Sequence, residues 1–150
     1  MTTELQPQHG SYLMPSLEHA TVADAMHPGI LSCEPDISLS EVARTMATYH
    51  VHSVVVIGVS HEEPECGVWA IISDLDLLDA GLRGGEGQTA RSIAKQTVIS
   101  VEPSMPLREG AELMLEHRVT HLVVVEPGTQ RPVGVLSTLD VAGVLAWGEA

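Results

Sequence analysis

Two short motifs have residue types and spacing that could do chemistry: Ser73-Asp74-Leu75-Asp76 and Ser137-Thr138-Leu139-Asp140. Each sets a hydroxyl three residues before a carboxylate, just after an apolar run. At the start of a helix this is a capping arrangement: the hydroxyl accepts from the first turn, and the carboxylate answers it and complements the helix dipole. The same geometry suits a ligand. Free N–H groups at a helix start make an anion site, and a carboxylate can accept hydrogen bonds from the hydroxyls of a ribose. The residues alone lean towards the cap. Repetition does not decide between the readings, because a duplicated cap would repeat as well.

Two polar pairs, His52-Ser53 and Thr120-His121, stand at the entrance to apolar strands. A histidine there can hydrogen-bond at a strand edge, or it can face an anion when protonated, below about pH 6.5. Asp74, Asp76 and Asp79 form an acidic run without the loop spacing of a cation site, which reads as a solvated helix start. His61-Glu62-Glu63 reads as a turn. The chain has no HExxH, GxSxG, phosphate-loop or dinucleotide fingerprint. The sequence therefore offers no catalytic constellation, and neither a metal nor a cofactor is expected.

The elements that carry these motifs occur twice. Ile30-Leu31-Ser32-Cys33-Glu34-Pro35 aligns without a gap on Val98-Ile99-Ser100-Val101-Glu102-Pro103. The alignment continues through Glu41/Glu109, Ala43/Ala111, Met46/Met114, Val51/Val119 and Val55/Val123. It resumes, past a turn four residues shorter in the second copy, at Ala70–Asp76 and Gly134–Asp140. Each copy predicts a short helix (Val22–Met26, Ala90–Lys95), a short strand (Ile30–Ser32, Val98–Val101) and an amphipathic helix. That helix buries Leu39, Val42, Ala43 and Met46 in the first copy, and Leu107, Ala111, Met114 and Leu115 in the second. An apolar strand follows (Ser53–Val59, Leu122–Val125), and its unbroken apolarity implies burial on both faces. A polar turn (Ser60–Cys66, Glu126–Arg131), another strand (Val68–Ile72, Val133–Leu136) and a last helix from Ser73 or Ser137 complete the unit. Such a unit is too small to be stable alone. Two of them are expected to pack sheet against sheet about a pseudo-twofold axis, with clefts between the copies. The expected divisions are an arm at 1–18, a first unit at 19–80, a Gly-rich linker at 81–88 and a second unit at 89–147.

Composition narrows the function. The net charge of −13, from 20 acidic and 7 basic residues, keeps the chain soluble and disfavours nucleic acid and anionic membranes, because basic clusters are lacking. Phe is absent, so the core must be aliphatic. No apolar run reaches the roughly 20 residues of a membrane span, and the N-terminus lacks the pattern of a signal peptide. Cys33 and Cys66 show no CxxC pairing and read as thiols of a reducing cytoplasm.

The apolar strand Leu122–Val125, the turn after it and Gly134-Val135-Leu136-Ser137-Thr138-Leu139-Asp140 resemble the signature of cystathionine-beta-synthase-type (CBS) domains. Val119–Val125 is similar to the matching stretch of the gamma subunits of AMP-activated protein kinase. Both copies fit, over residues 21 to about 147. Two departures stand out: Val55 and Val123 occupy a position where many members carry Pro, and Ala70 replaces the Gly of the final strand in the first copy.

The resemblance implies an α/β fold of two CBS repeats, each a small mixed three-stranded sheet with flanking helices. It also implies a regulatory module without catalytic activity that senses an adenosyl compound such as AMP, ADP, ATP or S-adenosylmethionine. The residues it points to are Ser137, Asp140, His121 and Thr120 in one cleft and Ser73, Asp76, His52 and Ser53 in the other. Met26–Ile30 and Ala94–Val98 would line the adenine. In the gamma subunits a His-Arg pair faces phosphate; here only His52 matches by type, and Ser53 and His121 replace the arginines. Pairing into a homodimer through the outer helices and signalling to a separate effector protein are further expectations. The alternative is a structural or docking module that binds no ligand. A thermal-shift panel of adenosyl compounds separates the two.

Overall fold

A computed structural model describes residues 13–58, 67–85, 87–94 and 98–149, and the side chains of 67–69 fall outside that description. The turn expected at Ser60–Cys66 and the end of the helix expected at Ala90–Lys95 lie outside the described residues, at 59–66 and 95–97.

The first copy forms α1 (Val22–Ala25), β1 (His27–Pro28), β2 (Ser32–Cys33), α2 (Leu39–Tyr49), β3 (Ser53–Gly58), β4 (Gly67–Ser73) and α3 (Asp74–Leu82). The second forms α4 (Ala90–Ile93), β5 (Ser100–Val101), α5 (Leu107–His117), β6 (His121–Val125), β7 (Pro132–Ser137) and α6 (Thr138–Trp147). Parallel pairing of β2 with β3, and of β5 with β6, combines with antiparallel β3–β4 and β6–β7 hairpins to give two mixed sheets.

Period-2 alternation along the central strands explains why both of their faces are apolar. Val54 and Val56 of β3 point to the helices with Val42, Met46 and Ile72, while Val55 joins Ile71, Val123 and Val125 in a separate cluster between the sheets. In β6, Leu122 and Val124 face the helices and Val123 faces the opposite sheet. The inter-sheet cluster draws equally on the two copies and forms the junction expected at a pseudo-twofold axis.

The repeat in the sequence is not the packing unit. Helix α1 buries Val22 in the core of the second copy, beside Leu107, Leu122 and Leu136; helix α4 buries Ala90 and Ile93 in the core of the first. The Val22 N–H donates to the Met105 carbonyl at 2.8 Å, and at the matching place the Ala90 N–H donates to the Ile37 carbonyl at 2.9 Å. Each short helix thus completes its partner, as expected for units too small to bury enough surface alone.

Two features depart from the expected symmetry. Among the described residues strand β1 adds to the second sheet, giving the order β1-β7-β6-β5 against β2-β3-β4; the positions aligned with β1 in the second copy, 95 and 96, lie outside the described residues. Gly134 makes that addition possible: a Cβ on it would fall 2.5 Å from the His27 carbonyl oxygen and 3.2 Å from Met26 Sδ. Residues 13–18, expected as part of a mobile arm, dock on the second copy. Met14 and Leu17 pack against its core, the Ser16 N–H donates to the Glu149 carbonyl, and Glu18 pairs with Arg108 of α5.

Candidate ligand-binding site

Both Ser-x-x-Asp motifs sit where a strand enters a helix, and both are complete capping boxes. At α3 the Ser73 N–H donates to Asp76 Oδ2 at 3.0 Å, and the Asp76 N–H donates to Ser73 Oγ at 3.2 Å. At α6 the Ser137 N–H donates to Asp140 Oδ2 at 2.7 Å, and the Asp140 N–H donates to Ser137 Oγ at 3.2 Å. One carboxylate oxygen of each aspartate is therefore committed to the helix start, which leaves the other for chemistry.

The second oxygens differ. Asp140 Oδ1 lies 2.8 Å from His27 Nδ1, and the side chains are 6% and 78% exposed, a buried carboxylate under an open imidazole. His27 comes from the first copy and reaches Asp140 because β1 lies on β7, with His27 opposite Val135 and Pro28 opposite Gly134. Among the described residues no cation lies within 4 Å of Asp76. In the first copy the histidine contact is instead His52 Nδ1–H to Asp74 Oδ2, 2.8 Å, on the exposed outer side of the helix start.

The strand-entry pairs lie beside these caps. Ser53 is opposite Ser73 in the β3–β4 ladder, and His121 is opposite Ser137 in the β6–β7 ladder. His121 is buried, and its Nδ1 meets Thr120 Oγ1 at 2.8 Å. Burial pushes its pKa below the ordinary histidine value. The charges of Asp74, Asp140 and Asp76 pull it back up, and His52 opposes them. Those four groups come from both copies, so the field at His121 is set by the two helix starts together. Near pH 7 the environment of His121 favours a neutral ring, which does not replace the lost arginine charge.

His27 is the residue that reading the sequence missed. It fell inside the Met26–Ile30 span assigned to the adenine, with no separate role. No local signal marks it, since its partner is far along the chain and the exchange of β1 brings them together. Two surface concavities lie elsewhere. One, of about 510 Å³, is lined by Ser100, Glu102, Met105, Glu109 and Gln130; another, of about 300 Å³, by Asp36, Ser38, Gly87 and Thr89. Neither includes Ser73, Asp76, Ser137 or Asp140. Among the described residues there is no cluster of His, Cys, Asp and Glu fit for a metal ion, and no helix long and apolar enough to cross a membrane.

Comparison with known proteins matches the fold. The chain is 27% identical over 126 residues to the CBS domain-containing protein YhcV of Bacillus subtilis, covering 82% of this chain and 84% of that one. Its fold is similar to the CBS domain pair of protein MJ0100, solved with 5'-methylthioadenosine and S-adenosyl-L-methionine, with TM-score 0.72, 19% identity and coverage of 85% of this chain and 96% of that one. It is also similar to CBSX2, solved with AMP, with TM-score 0.67, 21% identity and coverage of 84% and 96%. The CBS domain model matches twice, over residues 22–83 and 90–146, and with this duplicated architecture the chain belongs to the CBS domain family.

Proposed function

We propose that the chain is a cytoplasmic regulatory module that binds an adenosyl compound between its two repeats and passes the change to a separate effector protein, without catalysis of its own. The carrying observation is Asp140: a buried carboxylate at the junction of the copies, with one oxygen fixed by the helix cap and the other turned outwards. A carboxylate held in place by the helix cap is a fixed acceptor for ribose hydroxyls, and the start of α6 faces the same place. The bound molecules of MJ0100 and CBSX2, all adenosyl compounds, support the reading.

Ligand charge follows from the residues around the site. His121 is buried and biased to neutrality, Ser53 is uncharged, and Asp74 and Asp76 are close enough to influence His121. One phosphate finds donors at a helix start, but three would crowd carboxylates. Adenosine, AMP or S-adenosylmethionine should therefore bind ahead of ATP in the absence of magnesium. Thermal shift tests the reading: at a hundredfold excess over Kd a ligand adds about 2.7 kcal/mol of stability. A flat response to adenosine, AMP, ADP, ATP and S-adenosylmethionine would refute it.

A second reading, a docking module without a ligand, is favoured by one observation: both motifs are fully satisfied as caps. In either reading the module is proposed to be a homodimer. Leu75, Leu78 and Leu82 of α3 and Leu139, Leu145 and Trp147 of α6 are exposed, more apolar surface than a lone chain normally leaves open. Light scattering should give twice the 16.0 kDa chain mass at micromolar concentration, and a monomer would refute this.

A further inference from the structure

We propose that His27 is a displaceable latch: its imidazole holds the outer oxygen of Asp140, a ligand hydroxyl takes that oxygen in its place, and the exchange loosens strand β1 from the second sheet. The proposal rests on the reading of Asp140 as the acceptor of ligand hydroxyls, and it adds the route by which occupancy is transmitted.

The geometry sets up a competition. Asp140 Oδ2 accepts the Ser137 N–H at 2.7 Å, and His27 Nδ1 sits against the other oxygen, Oδ1, at 2.8 Å. The Asp140 side chain is only 6% exposed beneath the imidazole, so a ligand hydroxyl gains room at Oδ1 when the ring leaves. The His27 ring is 78% exposed and can swing into water without uncovering a core. Displacing a largely exposed imidazole costs little, so the latch should weaken ligand binding by about three- to tenfold.

What moves with the ring is defined by the backbone. Strand β1 is only His27–Pro28, and it is attached to β7 through the register His27/Val135 and Pro28/Gly134 and the adjoining Gly29 N–H to Val133 carbonyl bond of 2.8 Å. Proline donates no backbone hydrogen bond, so this attachment is thin and the side-chain contact is a sizeable part of it. Gly134 allows the approach because a Cβ would meet the His27 carbonyl oxygen at 2.5 Å. Strand β1 continues back into α1, which is packed in the second core, and forward into β2 of the first sheet. It is therefore a covalent bridge between the copies, and loosening it changes how they are held together.

The test compares wild type with His27→Ala, first without ligand. Amide hydrogen exchange at Gly29 should be three- to tenfold faster in His27→Ala, and unchanged exchange overturns the latch. Calorimetry with AMP should then show His27→Ala binding three- to tenfold tighter, with AMP accelerating Gly29 exchange in wild type only. Weaker AMP binding by the variant would make His27 a ligand contact and overturn the proposal. Faster exchange in a pair of proteins that bind neither AMP nor adenosine would show that the His27 contact holds β1, but it would remove the reading of Asp140 as a ribose acceptor and with it the displacement of the latch by ligand.

Discussion

The two helix starts, Ser73–Asp76 and Ser137–Asp140, share a motif, a cap and hydrogen bonds of nearly the same lengths, yet among the described residues their surroundings differ. The difference lies in a neighbour. Gly134 leaves room for β1, which brings His27 over Asp140; its counterpart Ala70 carries a methyl group at the corresponding place. Around Asp76 the nearby histidine, His52, is engaged with Asp74 instead. Duplication copied the scaffold, and we propose that single substitutions beside the scaffold make the clefts unequal. A motif that caps a helix is in this way separable from the site built on it.

The strongest way to break this comparison is to delete each aspartate in turn. Asp140→Ala removes a charged acceptor worth about 1.5–3 kcal/mol, so affinity for AMP should fall roughly ten- to a hundredfold. Asp76→Ala should change it much less, while each variant loses about 1 kcal/mol of stability with its cap. Calorimetry paired with urea unfolding separates the effects. If Asp76→Ala is the more damaging to binding, the ranking of the clefts is wrong.

Exchanging the small residues tests the cause of the asymmetry. Gly134→Ala places a Cβ 2.5 Å from a backbone oxygen, and backbone cannot yield as a flexible side chain would. Overpacking of this kind costs about 1–3 kcal/mol, and β1 should separate from β7. Ala70→Gly should cost less, about 0.5–1 kcal/mol, the ordinary penalty of glycine within a strand. Equal urea midpoints for the two variants would show that the close approach of β1 is not what distinguishes the copies.

How much of this was legible in sequence follows from where each feature lives. Local pattern sufficed for both amphipathic helices, for the central strands Ser53–Gly58 and His121–Val125, and for the caps at Ser73 and Ser137, because periodicity and capping act within a few residues. The duplication made the resemblance to CBS domains readable across nearly the whole chain. The exchange of α1 and α4 between cores was not legible, since identical local sequence serves either partner. The fourth strand depended on Gly134, which sequence reading marked only as the position where Ala70 stands in the first copy and which the structure links to the carbonyl of His27. The His27–Asp140 contact follows only from that strand pairing.

A smaller difference appears on acidification. His121 stands where the first copy has Ser53, which does not titrate. Burial holds the His121 pKa below its unfolded value of about 6.5, so the unfolded chain binds this proton more readily than the folded one. Its contribution is present in full above pH 6.5 and is lost as the pH falls from there through the folded pKa. Between pH 7.5 and 5.5 the urea midpoint of wild type should drop further than that of His121→Gln, which keeps a polar group beside Thr120. Parallel pH profiles would show that burial of this ring is not linked to folding.

The smallest expected effect concerns the helix ends that precede the two site strands. His50 closes α2 and Arg118 closes α5, and both adopt the left-handed region at φ 53° and ψ 46°. For a residue with a Cβ this conformation costs roughly 1–2 kcal/mol, and glycine removes that cost while adding about 0.5–1 kcal/mol of unfolded-state entropy. His50→Gly should therefore stabilise the protein by about 0.5–1 kcal/mol. Arg118 carries a permanent charge at the C-terminal end of a helix, a favourable placement worth about 0.3–1 kcal/mol that glycine would forfeit. The gain in Arg118→Gly should consequently be close to zero in low salt and should grow as salt screens the dipole interaction. Urea midpoints for both variants in 20 mM and 500 mM NaCl decide it (buffer conditions chosen for roughly 20 Å and 4 Å screening lengths). If Arg118→Gly gains as much as His50→Gly at low salt, the two helix ends are equivalent, and the asymmetry between the copies is confined to the clefts.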